Sequence, residues 1–198
     1  ARFVLPEIIA AVKREFPQVS VHLQAAADGE VLEQLARGEA DLAVISTAGS
    51  EPEGGVAVPL FRWRRVVLVP LTHPLAKLDR APTLAELAAH PLISYESSTK
   101  PESSLHRTFA AAGLEPQLAM TAGDADLIKN YVPARLGVGV LAEMAVGVRD
   151  TDLKALPAPD ALPECITWAV IPRARVLREY ALALLHGIAP QLPRRDQR

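Results

Sequence analysis

The sequence predicts an α/β fold with much parallel strand pairing, and three observations carry that expectation. Short apolar runs alternate with helical stripes along most of the chain. Some of these runs are apolar at consecutive positions, as in Leu42-Ala43-Val44-Ile45, which is how strands covered on both faces read. The 198 residues are 49% hydrophobic and 22% charged, enough for a real core in one large domain or two small lobes.

Val4 to Phe16 places Val4, Leu5, Ile8, Ile9 and Val12 on one helical stripe, and Pro17 stops it. Val19-Ser20-Val21-His22-Leu23 alternates as a strand does. Asp28 is placed to cap a helix that runs to about Ala36, with Val31, Leu32 and Leu35 on one face and Gly38 beyond its end. Asp41 to Ile45 reads as a buried strand with a polar end, Ser46 and Thr47, followed by a turn-rich loop from Gly49 to Gly55. Val56 to Leu60 and Arg65 to Val69 are strand candidates.

A second cycle follows. Thr83-Leu84-Ala85-Glu86 has the capping-box spacing that opens a helix. Leu92 to Tyr95 reads as a strand, Glu96 to Ser103 as polar loop, Ser104 to Ala112 as helix and Gln117 to Met120 as strand. Asp124 is placed to cap a helix with Leu127, Ile128 and Tyr131. Pro133 should kink or end that helix, because proline removes a backbone donor and clashes with the turn before it. Gly137 to Leu141 reads as a strand packed closely at its glycines. Asp150 to Pro163 is rich in Pro and Asp, so mostly loop with one edge strand at Leu153 to Leu156. Ile166 to Ile171 is the last strand. Arg173 to Ile188 is the last helix, with Val176, Leu177, Tyr180, Leu184 and Leu185 on its face.

The composition excludes several classes. A net charge of −2 makes the chain a poor stand-alone nucleic-acid binder. No apolar run reaches membrane-spanning length, so no membrane partner is expected. One cysteine, Cys165, rules out an internal disulfide and fits a reducing cytoplasm, with a small buried hydrophobe as its plain role. The five histidines lack metal-ligand spacing, and Gly137-Val138-Gly139 forms part of a strand rather than opening a helix, so neither metal nor cofactor is expected. Asp124 and Asp126 read as first-turn capping residues rather than an acid–base pair. Arg62, Arg64 and Arg65 read as a solvated edge strand. No Ser-His-Asp, Cys-His or phosphate-loop arrangement stands in a convincing context, so no enzyme is expected.

Five stretches together resemble the effector domain of LysR-type transcription regulators: GEADLAVIS (38–46), HPLA (73–76), TLAELAAHPLISY (83–95), AAGLEP (111–116) and ARLGVGVLAEMAV (134–146). The opening ARFVLPEIIAAVKREFPQVSVHL, the run TAGDADLIKNYV (121–132) and FRWRR with Trp63 are similar to the CysB-like branch, which governs sulfur assimilation and cysteine biosynthesis. The resemblance implies two Rossmann-like lobes joined by two crossover strands, as in periplasmic binding proteins of type 2. By that likeness one lobe is 1–69 with 168–198 and the other 70–167. It implies a small effector in the cleft between them, of the sulfate, thiosulfate, O-acetylserine or N-acetylserine class. It also implies a homodimer or homotetramer, and DNA contact through an N-terminal winged helix-turn-helix domain absent from this chain, with RNA polymerase as a further contact. The Thr-x-Thr-Gln run that precedes the A-R-Y opening in that branch, and the strand before it, are also missing, so part of the ligand site is expected to be absent.

A sulfur-type effector can be held by hydroxyls and helix N-termini without a buried cation. The carboxyl ends of strands are where α/β sheets place ligands. Ser46 and Thr47, then Ser97, Ser98, Thr99 and Lys100, then Thr121 all fall at such ends. The resemblance places a hydroxyl ligand at Ser46 and a threonine near Lys100, and it matches Trp63 to a pocket tryptophan. A solute-binding protein of the periplasmic type, for sulfate or an amino acid, is the alternative reading.

Overall fold

A computed structural model describes residues 5–26, 28–147, 150–173 and 176–192. In chain order the elements are α1 (Leu5–Glu15), α2 (Asp28–Arg37), β1 (Ala43–Thr47), β2 (Val56–Trp63), β3 (Arg65–Pro70), α3 (Leu84–Ala88) and β4 (Leu92–Tyr95). Then come α4 (Ser104–Ala111), β5 (Leu118–Ala122), α5 (Ala125–Tyr131), β6 (Val138–Ala142), β7 (Leu153–Pro157), β8 (Cys165–Ile171) and α6 (Glu179–Ile188). The chain divides into two compact units, Ala1–Phe61 with Ile166–Arg198, and Arg62–Cys165. The chain passes between them twice, within β2 and within β8.

The first unit holds a three-stranded sheet in the order β1-β8-β2. Leu35 of α2 packs on Ala43, Ile45, Ile166, Trp168 and Val170, with Val31 and Leu32 beside them, as their spacing predicts. Val58, Ala169, Leu185 and Ala189 form a second cluster. α1 lies against α6, with Phe16 edge-on to Tyr180 at 6.4 Å between ring centroids.

The second unit holds a five-stranded sheet in the order β5-β4-β6-β3-β7. Its strands are covered on both faces. Val67 and Val69 of β3 join Leu92, Val138 and Val140 beneath Leu87 of α3 and Leu105 and Phe109 of α4. Leu68, between them in sequence, faces the opposite way and joins Ile93 and Leu141 beneath Ile128 of α5 and Val132. The period of two along a strand produces this three-layer arrangement from a nearly continuous apolar run.

Several expectations are corrected. β4 runs parallel to β5 and β6, whereas β1 with β8, and β3 with β6 and β7, run antiparallel. Parallel neighbours need a long crossover, and β4-α4-β5-α5-β6 is the stretch that supplies two in succession. Residues 19–23 form no strand, and Leu23 is 72% exposed. Alternation alone builds nothing without a neighbour to complete the ladder. β5 runs to Ala122, so Thr121 lies inside the strand rather than after it. Glu96 to Thr99 closes a 3-10 turn instead of open loop. α6 begins at Glu179, and Val176 is 96% exposed rather than on its buried face. Arg65 lies in β3, paired on both sides, so the basic run is not an edge strand throughout. Val4 and the side chain of Asp28 lie outside the described residues.

Candidate functional site

In the second unit, β4 sits between two parallel partners. The chain leaving β4 turns to α4 on one face of the sheet, and the chain leaving β5 turns to α5 on the other, as their separate core clusters show. The carboxyl ends of parallel strands are where open α/β sheets take ligands. Ser97, Ser98, Thr99 and Lys100 follow β4 there, and Thr121 stands on β5 opposite Ser94. The loops approach closely, since a Cβ on Gly123 would lie 3.9 Å from Glu96 Oε1.

The hydroxyls are not equally available to an anion, which needs donors. Ser94, buried in β4, donates to the Val140 carbonyl at 3.0 Å, and its other hydroxyl contact is Ser98 Oγ at 3.0 Å. Ser94 has one proton, so Ser98 must donate to it. Thr99 Oγ1 donates to the Glu96 carbonyl at 2.7 Å. Ser98 and Thr99 therefore spend their protons on the protein, tying the 3-10 turn to the sheet. Ser97 and Lys100 are exposed and Thr121 half-buried, and none donates a side-chain hydrogen bond to a described residue. Tyr95 adds a donor that sequence reasoning missed. Its hydroxyl oxygen accepts the Ala142 N–H at 3.0 Å, and burial pushes its pKa upward, so its proton is retained and available.

Trp63 ends β2, half-buried, with the Arg65 guanidinium 5.9 Å from its ring centroid. Arg65 itself is held by the Pro163 carbonyl at 3.1 Å and Ser104 Oγ at 2.7 Å. Cys165 is buried, and burial raises its thiol pKa, which keeps it protonated and a poor nucleophile. Asp124 caps α5 by accepting Leu127 N–H at 2.9 Å, the role its spacing predicts. Among the described residues no group of three or more His, Cys, Asp or Glu side chains could hold a metal ion.

In the first unit, Ser46 and Thr47 end β1. Adjacent strand residues point to opposite faces, so the pleat separates them. Thr47 lies on the α2 side, where it accepts the Trp168 indole N–H at 2.8 Å and donates to the Ser50 carbonyl. Ser46 faces the other way and meets Thr167 Oγ1 at 2.9 Å, its direct partner across the β1/β8 ladder. Either hydroxyl can donate to the other. Thr167 and Ser94 were both missed from sequence; the signal available was one Ser or Thr inside each apolar run, CITWAVI and LISY.

The LysR substrate binding domain model matches residues 1–192. This chain belongs to the LysR substrate-binding domain family. Among curated relatives of this LysR domain, the HTH-type transcriptional regulator CysB of Burkholderia cenocepacia is 35% identical over 197 residues, covering 98% of this chain and 62% of the relative. SsuR of the same organism is 34% identical over 193 residues, 97% of this chain and 62% of the relative. The chain thus spans about three fifths of the length of these regulators. The crystal structure of the cofactor-binding domain of the Cbl transcriptional regulator superposes with a TM-score of 0.83 at 31% identity, covering 97% of this chain and 84% of that one. The LysR domain therefore has the two-lobed α/β fold of periplasmic binding proteins, and its relatives are named transcription regulators.

Proposed function

We propose that this chain is the effector-sensing domain of a CysB-like LysR-type regulator. In this reading it takes a small anion or amino-acid derivative of sulfur or cysteine metabolism and thereby controls DNA binding and transcription by the whole protein. The observation that carries the reading is 35% identity to CysB over 98% of the chain. The donors left unspent support it: Ser97, Lys100 and Thr121 in the second unit. Hydroxyl and ammonium donors suit an oxyanion or a carboxylate without burying a lone charge. Thr47, Ser98 and Thr99 support the site by fixing its backbone. The ligand does no chemistry there. It shifts the regulator only by as much as it binds one arrangement better than another.

A thermal-shift series with sulfate, thiosulfate, sulfite, O-acetylserine and N-acetylserine tests this. A ligand at a hundredfold excess over its dissociation constant adds about 2.7 kcal/mol, or roughly 5–10 °C for a chain of this size. Ser46→Ala and Thr121→Ala should each reduce the shift of the best compound, while Thr99→Ala should act mainly on the unliganded melting temperature. The reading fails if all five compounds leave the melt unmoved, or if the best compound acts equally on the parent, Ser46→Ala and Thr121→Ala.

A further inference from the structure

Two stretches that the effector reading leaves unused, His73-Pro74 and Arg135 to Val138, meet in the second unit. With Pro70, Thr72 and Pro91 they line a cavity of about 300 Å³. Pro91 immediately precedes β4 and Gly137 immediately precedes β6, so this cavity lies at the amino ends of the parallel strands. Ser97 to Lys100 and Thr121 lie at their carboxyl ends. We propose that the cavity is a second small-molecule site, taking a short aliphatic carboxylate.

Three observations carry the proposal. Arg135 is the one non-glycine with positive φ among the described residues, at 60°, and its N–H donates to the Val132 carbonyl at 3.0 Å. A left-handed arginine is costly, and such backbone is typically kept where a side chain must be aimed. Among the described residues its guanidinium hydrogen-bonds the Thr72 hydroxyl, at 3.4 Å, and makes no ion pair. That contact is long for an N–H···O bond, so most of the planar fork is unspent. The walls are built: His73 Nδ1 accepts Leu75 N–H at 3.2 Å and its ring stands edge-on to His90 at 4.7 Å, so its orientation is set. Gly137 has no room for a side chain, because a Cβ there would meet the Pro91 carbonyl at 2.7 Å, and the two backbones close against each other.

Size and lining then select the ligand. A volume of about 300 Å³ stands at the small end of ligand sites, which suits a short acid. The fork pairs with two coplanar oxygens, while Pro70, Pro74, Pro91 and Val138 offer apolar surface to an alkyl chain and nothing to a fourth oxygen. A planar carboxylate with a few carbons satisfies both parts, and a tetrahedral oxyanion satisfies one.

Amide NMR titration of the whole chain with sodium isobutyrate, against sodium chloride and sodium sulfate at matched ionic strength, tests the proposal. Saturable shifts centred on Thr72, His73 and Arg135 are expected with isobutyrate alone. Arg135→Gly keeps the left-handed backbone comfortable, so it should fold and lose affinity roughly tenfold or more; Arg135→Lys should lose part of it. Ser46→Ala and Thr121→Ala should titrate as the parent does, which separates this site from the effector reading. Shifts no larger than those with chloride, equal binding of sulfate, unchanged affinity in Arg135→Gly, or loss of binding in Ser46→Ala would each overturn it.

Discussion

Ser94 shows how one buried hydroxyl sets the behaviour of a neighbouring loop. It is 1% exposed, and it bonds both the Val140 carbonyl of β6 and the hydroxyl of Ser98. Ser94→Ala would strand the Ser98 proton and weaken the tie between turn and sheet. A loss of about 1–3 kcal/mol is expected, measured as a lower urea midpoint at unchanged m-value. Arg135→Gly should move stability the other way. Relieving the left-handed strain outweighs the extra backbone entropy of glycine, for a gain of roughly 0.5–1 kcal/mol in the same measurement. The sequence singled out the loop hydroxyls of residues 97–99, but it could not say which protons are spent. That depends on Ser94 meeting Ser98 and on Ser46 falling opposite Thr167, and both are matters of register and turn geometry rather than composition.

Among the elements, the helix starts with a capping side chain, at Thr83 and Asp124, were the most legible, because capping is local. The Thr83–Glu86 box forms as spaced, with Glu86 N–H on Thr83 Oγ1 at 3.1 Å and Thr83 N–H on Glu86 Oε2 at 2.7 Å. Pro133 ends α5 early: the helix stops at Tyr131, before the residue that would need the missing N–H. The 19–23 segment misled because strand formation needs a partner that no local pattern can supply. Two N–H groups of Arg80, at 2.8 and 2.9 Å, together with the Thr83 N–H hold the Glu86 carboxylate at a pKa of about 2, against an ordinary 4.5. The folded state therefore binds fewer protons than the unfolded one. Its contribution to stability is complete above pH 4.5 and disappears as pH falls towards 2. The melting-temperature difference between the parent and Glu86→Gln should shrink across that window. In the sheet, a Cβ on Gly139 would meet Val132 Cγ2 at 2.8 Å and Leu68 Cβ at 3.3 Å. Gly139→Ala should thus cost about 1–3 kcal/mol through overpacking, read in the urea midpoint.

At the scale of the whole molecule, the two units differ in how the chain builds them. Arg62–Cys165 is continuous and contains two complete apolar clusters of its own. The other unit is assembled from two distant segments, and its central strand, β8, comes from the second. Residues 62–165 expressed alone should therefore give a cooperative urea transition, whereas residues 1–61 alone should not, since Ile166, Trp168 and Val170 complete their core. Circular dichroism of the two fragments, separately and with 166–198 supplied, measures this. The alternation that predicted α/β layers was legible because burial on both faces leaves an unbroken apolar run, as in Val66 to Val69. The closed-off Cys165 has a practical counterpart at this scale. With the chain's one native sulfhydryl buried, a cysteine introduced on the surface becomes a unique handle for a dye.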